Sequence, residues 1–101
     1  MAVDYKLEGK IATITLNRPE AYNSIDVRTL KELHDALTTF RDNEDAWVGI
    51  ITGAGDKAFC SGADISEMLP FLKANANKPW EIPQTPLGAM ELYKPLIGAI
   101  N

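Results

Sequence analysis

The sequence predicts a single α/β domain, and three observations lead to that class. Residues 3–7 and 11–16 read as two short strands, and the second of them has one face more apolar than the other. A helix with apolar residues at spacings of three and four follows them. Residues 47–52 then form a continuous apolar run, which is typical of a strand in a layered α/β arrangement. At 101 residues the chain makes one small domain at most.

The two strands at the start are joined by a predicted turn at residues 8–10. After the second strand, residues 17–20 break the strand pattern. Pro19 fixes its own φ and pushes Arg18 towards an extended conformation. A new element is therefore expected beyond this point.

The helix that follows is predicted to begin at a capping side chain, either Ser24 or Asp26. It continues through about Arg41. Its apolar stripe recurs with helical period and consists of Val27, Leu30, Leu33, Leu37 and Phe40. We expect this stripe to pack on the sheet.

The second half of the chain begins with the apolar strand 47–52, which is predicted to be buried on both faces. The segments expected after it are a glycine-rich turn at 53–57, a helix over about 64–74, a loop rich in proline and asparagine at 75–86, a short helix at 87–93 and a last strand at 96–101. Because the last strand is apolar and no turn follows it, we expect the chain to continue in the intact protein.

Composition excludes several classes of function. The formal net charge is −4 and no basic stripe is present, so nucleic acid is not expected as a partner. No segment approaches the roughly 20 apolar residues of a membrane span. The single cysteine cannot form an intrachain disulfide, which favours a cytoplasmic location. No cluster of Cys, His and Asp has the spacing of metal ligands, so no metal is expected.

The strand, turn and helix at residues 50–68 form the most informative segment for chemistry. This arrangement leaves backbone N–H groups unpaired near Ala63 and Asp64, at the positive end of a helix dipole. Such a place suits an anion or a developing oxyanion, and Gly62 allows close approach to the backbone. The residues alone fit equally well a structural interpretation, in which Gly62 makes the turn and Asp64 caps the helix.

Three segments carry a family resemblance, in order along nearly the whole chain. Residues 16–24, Leu-Asn-Arg-Pro-Glu-Ala-Tyr-Asn-Ser, resemble the "LNRP…N" signature of enoyl-CoA hydratase/isomerase (crotonase) family enzymes. Residues 58–65, Ala-Phe-Cys-Ser-Gly-Ala-Asp-Ile, resemble the acyl-CoA segment of that family. Residues 94–101, Lys-Pro-Leu-Ile-Gly-Ala-Ile-Asn, resemble the strand that leads into its second half-site. The resemblance implies that residues 1–101 are the N-terminal part of a crotonase-like ββα spiral, with the remainder of the domain absent.

The resemblance also implies roles for individual residues. The backbone N–H of Ala63, just after Gly62, is expected to be one of two donors in a thioester oxyanion hole. Ser61, Asp64 and Ile65 are expected to line the pocket for the adenine end of coenzyme A, and Ala21 and Tyr22 to lie along its pantetheine and ribose-phosphate part. Gly62 and Ala63 are also expected to contact the substrate. Arg18 is expected either to meet a phosphate or to form a surface salt bridge.

The implied function is that of an acyl-CoA enzyme, first an enoyl-CoA hydratase that adds water to a 2-enoyl-CoA through an enolate. The alternatives within the family are an enoyl-CoA isomerase, a dienoyl- or cyclic-dienoyl-CoA hydratase, and a hydrolase. The alternative from another class is a non-catalytic binding or assembly module. The second oxyanion donor and the acid–base residues are expected beyond residue 101, so this chain alone is expected to be inactive. No cofactor is implied beyond the coenzyme A thioester substrate, and the parent is expected to be a homo-trimer or hexamer.

Overall fold

A computed structural model describes residues 2–78, 82–83 and 90–101 of the chain. The order of elements is four strands and two helices in one α/β unit. These elements are β1 (Val3–Glu8), β2 (Ile11–Leu16), α1 (Val27–Asp42), β3 (Val48–Gly53), α2 (Ile65–Ala74) and β4 (Leu96–Ala99), with a 3-10 turn at Pro19–Ala21. The predicted α/β class and the element order up to α2 are confirmed.

The four strands form one mixed sheet in the order β1-β2-β3-β4. β1 and β2 are an antiparallel hairpin, whereas β2 pairs with β3, and β3 with β4, in parallel. Parallel neighbours need long crossover connections. α1 lies in the first crossover, and α2 lies in the second. The loops that follow the parallel strands β2 and β3 are thereby brought together at the carboxyl edge of these strands.

The core lies between α1 and one face of the sheet. Alternate residues of β2 point to that face, and the buried side chains there include Val3, Ala12, Ile14, Leu16, Leu33, Leu37 and Phe40. Burial of the Phe40 side chain, which is fully inaccessible, contributes about 2–3 kcal/mol. The predicted stripe on α1 is confirmed for Leu33, Leu37 and Phe40; Val27 and Leu30 are only half-buried.

The N-terminus of α1 is capped by Asp26 and not by Ser24. The Asp26 side chain accepts a hydrogen bond of 2.8 Å from the Thr29 N–H, which has no partner inside the helix. At the other end, Lys94 Nζ donates to the carbonyl oxygens of Phe40 and Asn43, at 2.8 and 2.7 Å. A distant part of the chain thus satisfies the last turn of this helix.

The prediction that the third strand is buried on both faces is wrong. The strand begins at Val48, and the side chain of Trp47 is 61% exposed, with Lys10 Nζ lying 5.2 Å from its ring centroid. In the described part of the chain α1 packs on one face of the sheet, and Ile50 and Thr52 on the opposite face are half-buried. An apolar run alone therefore overstated the burial.

The predicted helix at residues 87–93 is also not found where it can be checked. Residues 87–89 lie outside the described residues, and the chain from Met90 to Tyr93 is not helical. Met90 is buried, Leu92 is half-buried, and the residues between and after them are exposed, as expected of an extended segment. The hydrogen bonds from Lys94 to the end of α1 fix the position of this segment. This tertiary constraint outweighs the helical propensity of the segment. The last strand ends at Ala99, two residues before the predicted end.

The described helices are also too short or too polar for a membrane. No helix within residues 2–78, 82–83 and 90–101 combines the length and the apolar character needed to cross a bilayer.

Candidate functional site

Two loops from different parts of the chain meet at the carboxyl edge of the sheet. The Ser61 N–H donates to the Tyr22 carbonyl at 3.1 Å. The Ile25 N–H donates to the Gly62 carbonyl, and the Ile25 carbonyl accepts from the Asp64 N–H, both at 2.8 Å. These bonds make a single parallel bridge between Ile25 and Ala63. The structure therefore brings together the two groups of predicted site residues, which are about 40 positions apart in sequence.

The backbone N–H of Ala63 is left open by this bridge. In a parallel bridge the two bonds flank the central residue, whose own N–H then points away from the partner strand. The Ala63 N–H makes no hydrogen bond with any described residue, and Ala63 is exposed. The prediction that the Asp64 N–H is also unpaired is wrong, because that group donates to the Ile25 carbonyl. Of the two N–H groups predicted to be unpaired, only that of Ala63 makes no hydrogen bond with a described residue.

The conformation of Gly62 makes this orientation accessible. Its φ is +109°, a value that residues with a Cβ rarely adopt. No heavy atom lies within 4 Å of the position where a Cβ would be built, so the requirement is conformational and not steric. Glycine at 62 therefore lets the chain turn so that the Ala63 N–H faces away from the bridge.

Asp64 lies at the N-cap position of α2, but its side chain makes no capping bond with the helix. Its carboxylate accepts from Ser66 Oγ at 2.7 Å and lies 3.8 Å from Arg18 Nη2. The interpretation in which the Asp64 side chain caps α2 is therefore wrong. Ile65, the first residue of α2, is 74% exposed, so it lies open to a ligand beside Ala63.

Arg18 connects the N-terminal ends of both helices. Its Nη1 donates to the Ser24 carbonyl at 2.8 Å and lies 3.4 Å from Asp26 Oδ2, while Nη2 faces Asp64. The Arg18 side chain is 19% exposed, so these ion pairs are largely shielded from water. Burial raises the pKa of Asp26, but hydrogen bonding from Thr29 and the Arg18 charge outweigh it and hold that pKa below its ordinary value. A contact between Arg18 and a ligand phosphate stays a prediction.

Ala21 and Tyr22 belong to the 3-10 turn beside the outward-facing segment 61–65. Tyr22 has a left-handed backbone, with φ of 54°, and its side chain is 54% exposed. Ala21 is half-buried. An open cleft of about 200 Å³ lies between this turn and the glycine-rich turn at 54–58, with Pro19, Tyr22 and Asn23 on one side. The two turns thus border a concave surface at the edge of the sheet.

Sequence reasoning missed two asparagines in this region. Asn23 is 1% exposed, and its side chain bonds both turns. The Asn101 side chain also donates hydrogen bonds to the glycine-rich turn. The sequence did point to Asn23, because this residue belongs to the signature segment 16–24 and asparagine tolerates the left-handed backbone found there. Among the described residues, no group of three or more His, Cys, Asp or Glu side chains could hold a metal ion.

Comparisons with known proteins agree with this geometry. The family model for enoyl-CoA hydratase/isomerase matches residues 6–101. The chain is 37% identical over 101 residues to (E)-benzylidenesuccinyl-CoA hydratase of Thauera aromatica and 38% identical over 95 residues to short-chain-enoyl-CoA hydratase of Clostridium acetobutylicum. The first alignment covers 100% of this chain and 40% of the relative, and the second covers 93% of this chain and 36% of the relative. The chain thus spans well under half the length of these two relatives.

The structural comparison leads to the same group. The crystal structure of carnitinyl-CoA hydratase from Mycobacterium avium superposes with a TM-score of 0.77 and 31% identity, over 99% of this chain and 38% of that one. The fold predicted from the resemblance is therefore confirmed as crotonase-like. The family match extends over nearly the whole sequence, and the bridge at Ala63 lies inside the matched region. The chain belongs to the enoyl-CoA hydratase/isomerase family.

Proposed function

We propose that the whole protein is an enoyl-CoA hydratase, which adds water across the double bond of a 2-enoyl-CoA thioester. The observation that carries this proposal is the N–H of the exposed residue Ala63, which makes no hydrogen bond with the described residues. Its neighbours are held by backbone bonds to Ile25, so the donor is oriented before a substrate arrives. Preorganised donors of this kind stabilise a developing oxyanion. The hydratase names of the two relatives support the same reaction.

In the proposed reaction, the oxygen of water bonds to Cβ of the substrate while the Cα–Cβ double bond opens towards an enolate. Negative charge gathers on the thioester oxygen, where the Ala63 N–H donates a hydrogen bond worth roughly 3 kcal/mol in comparable sites. The partial positive charge at the N-terminus of α2 adds to this stabilisation. The proton lost by water and the proton gained by Cα are transferred by a carboxylic acid and a carboxylate.

We assign no acid–base role to the carboxylates near Ala63. Asp64 is paired with Arg18 and accepts a hydrogen bond from Ser66, so its charge is already compensated. Glu67 is exposed in the first turn of α2, where a negative charge stabilises the helix dipole. We propose that the acid–base pair and the second oxyanion donor follow residue 101, and that residues 1–101 alone are inactive.

The substrate is proposed to lie along the two loops that meet at the Ile25–Ala63 bridge. The residues proposed to contact its coenzyme A part are Ser61, Gly62, Ala63, Asp64 and Ile65 from one loop, and Arg18, Ala21 and Tyr22 from the other. Tyr22 and Ile65 are both exposed, and this supports the arrangement. Contacts of their side chains with the coenzyme A part would add binding energy that positions the thioester. We also propose that the whole protein assembles as a homo-trimer or hexamer, which light scattering tests.

The first test is a hydration assay with crotonyl-CoA, followed by loss of the absorbance of the unsaturated thioester. We expect the full-length protein to hydrate this substrate and the 1–101 polypeptide to show no turnover. Migration of the double bond without addition of water would replace the proposal with an isomerase. Binding of acyl-CoA without any reaction would replace it with a non-catalytic module.

A second test removes the donor itself. Ala63→Pro deletes the backbone N–H, and Ala63→Ser retains it as a matched control. We expect Ala63→Pro to lower kcat about 10²- to 10³-fold while Ala63→Ser stays within a few-fold of wild type. Equal rates for the two variants would contradict the role of this group. If Ala63→Pro does not fold, the amide proton shift of Ala63 on adding acetoacetyl-CoA to the wild-type protein decides the question.

A further inference from the structure

The glycine-rich turn at residues 54–58 is held by two asparagine side chains that come from distant parts of the sequence. Asn23 Nδ2 donates to the carbonyls of Ala54 and Ala58, at 3.0 and 2.8 Å. Asn101 Nδ2 donates to the carbonyls of Gly55 and Ala58, at 2.8 and 3.3 Å. The Ala58 carbonyl is therefore shared by both amides, and three carbonyls of one short turn are fixed by side chains from elsewhere in the chain.

Asn23 is built into this position and is not an incidental contact. Its side chain is 1% exposed, and its Oδ1 accepts a bond of 2.8 Å from the Arg18 N–H. Both Nδ2 bonds and the Oδ1 bond are thus made, which is what a buried amide requires. Its φ is +56°, and asparagine is one of the few residues that adopt this conformation at low cost.

The position of Asn23 in the chain connects this turn with Ala63. Its side chain holds the beginning of the segment 54–64, while the backbones of Tyr22 and Ile25, on either side of it, hold the end of the same segment. Only Phe59 and Cys60 separate Ala58, the last residue bonded by Asn23, from Ser61, the first residue bonded by the backbone of Tyr22. A shift of the turn is therefore transmitted to the Ala63 N–H.

We propose that Asn23 is a positioning residue for the Ala63 N–H, and that Asn101 supports the same turn from the side of β4. The two amides fix where the segment 58–63 starts, and the bridge to Ile25 fixes where it ends. The proposal rests on the hydratase function proposed above, because the orientation of the Ala63 N–H affects the reaction only if this group donates to an enolate oxygen. Neither asparagine touches the reacting atoms in this scheme.

The experiment compares two ligands on the full-length protein. Acetoacetyl-CoA presents an enolate oxygen to the oxyanion site, whereas free coenzyme A has no acyl group and reports on the remainder of the binding surface. The variants are Asn23→Gly, which keeps the left-handed backbone, and Asn101→Ala, which alters an exposed residue. Asn77→Ala is the matched control, because Asn77 is exposed and makes no hydrogen bond within the described residues.

We expect Asn23→Gly and Asn101→Ala each to weaken binding of acetoacetyl-CoA by about tenfold or more. This loss is smaller than the effect of removing an oxyanion donor altogether. We expect their affinity for free coenzyme A to change less than about threefold, because that ligand does not use the donor. Equal loss for both ligands would mean that the asparagines only maintain the fold, and no loss for either would overturn the proposal outright.

A second measurement separates this proposal from the hydratase function. If the wild-type protein binds no acetoacetyl-CoA, the proposed function fails, and the amide shifts of Ala63 and Asp64 in the ligand-free variants then test the positioning alone. Shifts that change at these two residues support it. Changes confined to residues 54–58 would contradict it, because the turn would then move without moving the donor.

Discussion

Ile25 holds Ala63 through the two residues on either side of it, with both hydrogen bonds at 2.8 Å. Only backbone atoms of Ile25 take part, so the identity of its side chain does not enter the geometry. The orientation of the Ala63 N–H depends instead on the ability of Gly62 to adopt a φ of +109°. A single glycine thus determines whether the segment can satisfy the bridge and still present a free donor.

Gly62→Ala is expected to lower the free energy of unfolding by about 1–3 kcal/mol, because a Cβ makes this backbone conformation strained. The measurement is urea unfolding followed by circular dichroism. Gly98→Ala is the matched control, since Gly98 has no positive φ and its added Cβ would meet only Ile100 Cδ1, at 4.0 Å. Equal destabilisation by the two substitutions would contradict the conformational argument.

Asp26→Asn tests the charge that joins α1 to Arg18, because asparagine remains a good N-cap while the carboxylate is removed. Wild type is expected to be more stable than the variant by about 1 kcal/mol at pH 7. The pKa of Asp26 is lower in the folded protein than its ordinary value. Its contribution is therefore present above about pH 4 and is lost as the pH falls through the folded pKa.

The difference between wild type and Asp26→Asn should accordingly shrink below about pH 4, as measured by denaturant unfolding at several pH values. Asp35→Asn is the control, because Asp35 is exposed on the same helix and its side chain makes no ion pair or hydrogen bond within the described residues. A difference for Asp26→Asn that stays constant down to pH 3 would show that the ion pair with Arg18 contributes nothing.

The elements predicted well from sequence are those whose signal is local. The strand at residues 11–16 and the first helix follow from alternation and from a helical period, and their bounds agree with the structure within about one residue. The helix predicted at 87–93 failed in its described part because the bonds from Lys94 to α1 are long-range. The burial of the third strand failed because it depends on what covers the sheet and not on the strand itself.

The site was less accessible to sequence reasoning than the fold. The physical pattern located a donor near Ala63 but could not decide which N–H is free, because that depends on pairing with Ile25, about 40 residues away. The hydrogen bonds of Asn23 to Ala54 and Ala58 span 31 and 35 positions. No periodicity or spacing signals such contacts, so only the family resemblance brought the two loops together before the structure did.

Lys94→Met is expected to destabilise the protein by about 1–3 kcal/mol, because the carbonyls of Phe40 and Asn43 lose a charged donor at the C-terminus of α1. Methionine retains an apolar stem but lacks Nζ, which in the wild-type protein also lies 5.2 Å from the centroid of the Phe40 ring. Thermal unfolding measures the effect. Lys31→Met, at an exposed position of the same helix, should change the stability by less than about 0.5 kcal/mol; a comparable loss there would contradict the capping role of Lys94.

Gly49→Ala tests how closely α1 approaches the sheet. A Cβ at this position would lie 2.9 Å from Leu96 Cδ1 and from two ring atoms of Phe40, which is fully buried and has no room to move away. We expect a loss of about 1–3 kcal/mol from this overpacking, measured by urea unfolding. The cause is steric, so it differs from the conformational strain expected at Gly62.

A smaller side chain at position 40 should relieve this clash, and the double variant Gly49→Ala with Phe40→Leu tests it. If the ring is the obstacle, Gly49→Ala costs less in the Phe40→Leu background than in wild type, by about 0.5 kcal/mol or more. Strictly additive effects would mean that the Leu96 contact or the backbone carries the cost. Phe40 belongs to α1 and Leu96 to β4, and both side chains would contact the new Cβ. The double variant therefore identifies which of the two side chains limits the space at Gly49.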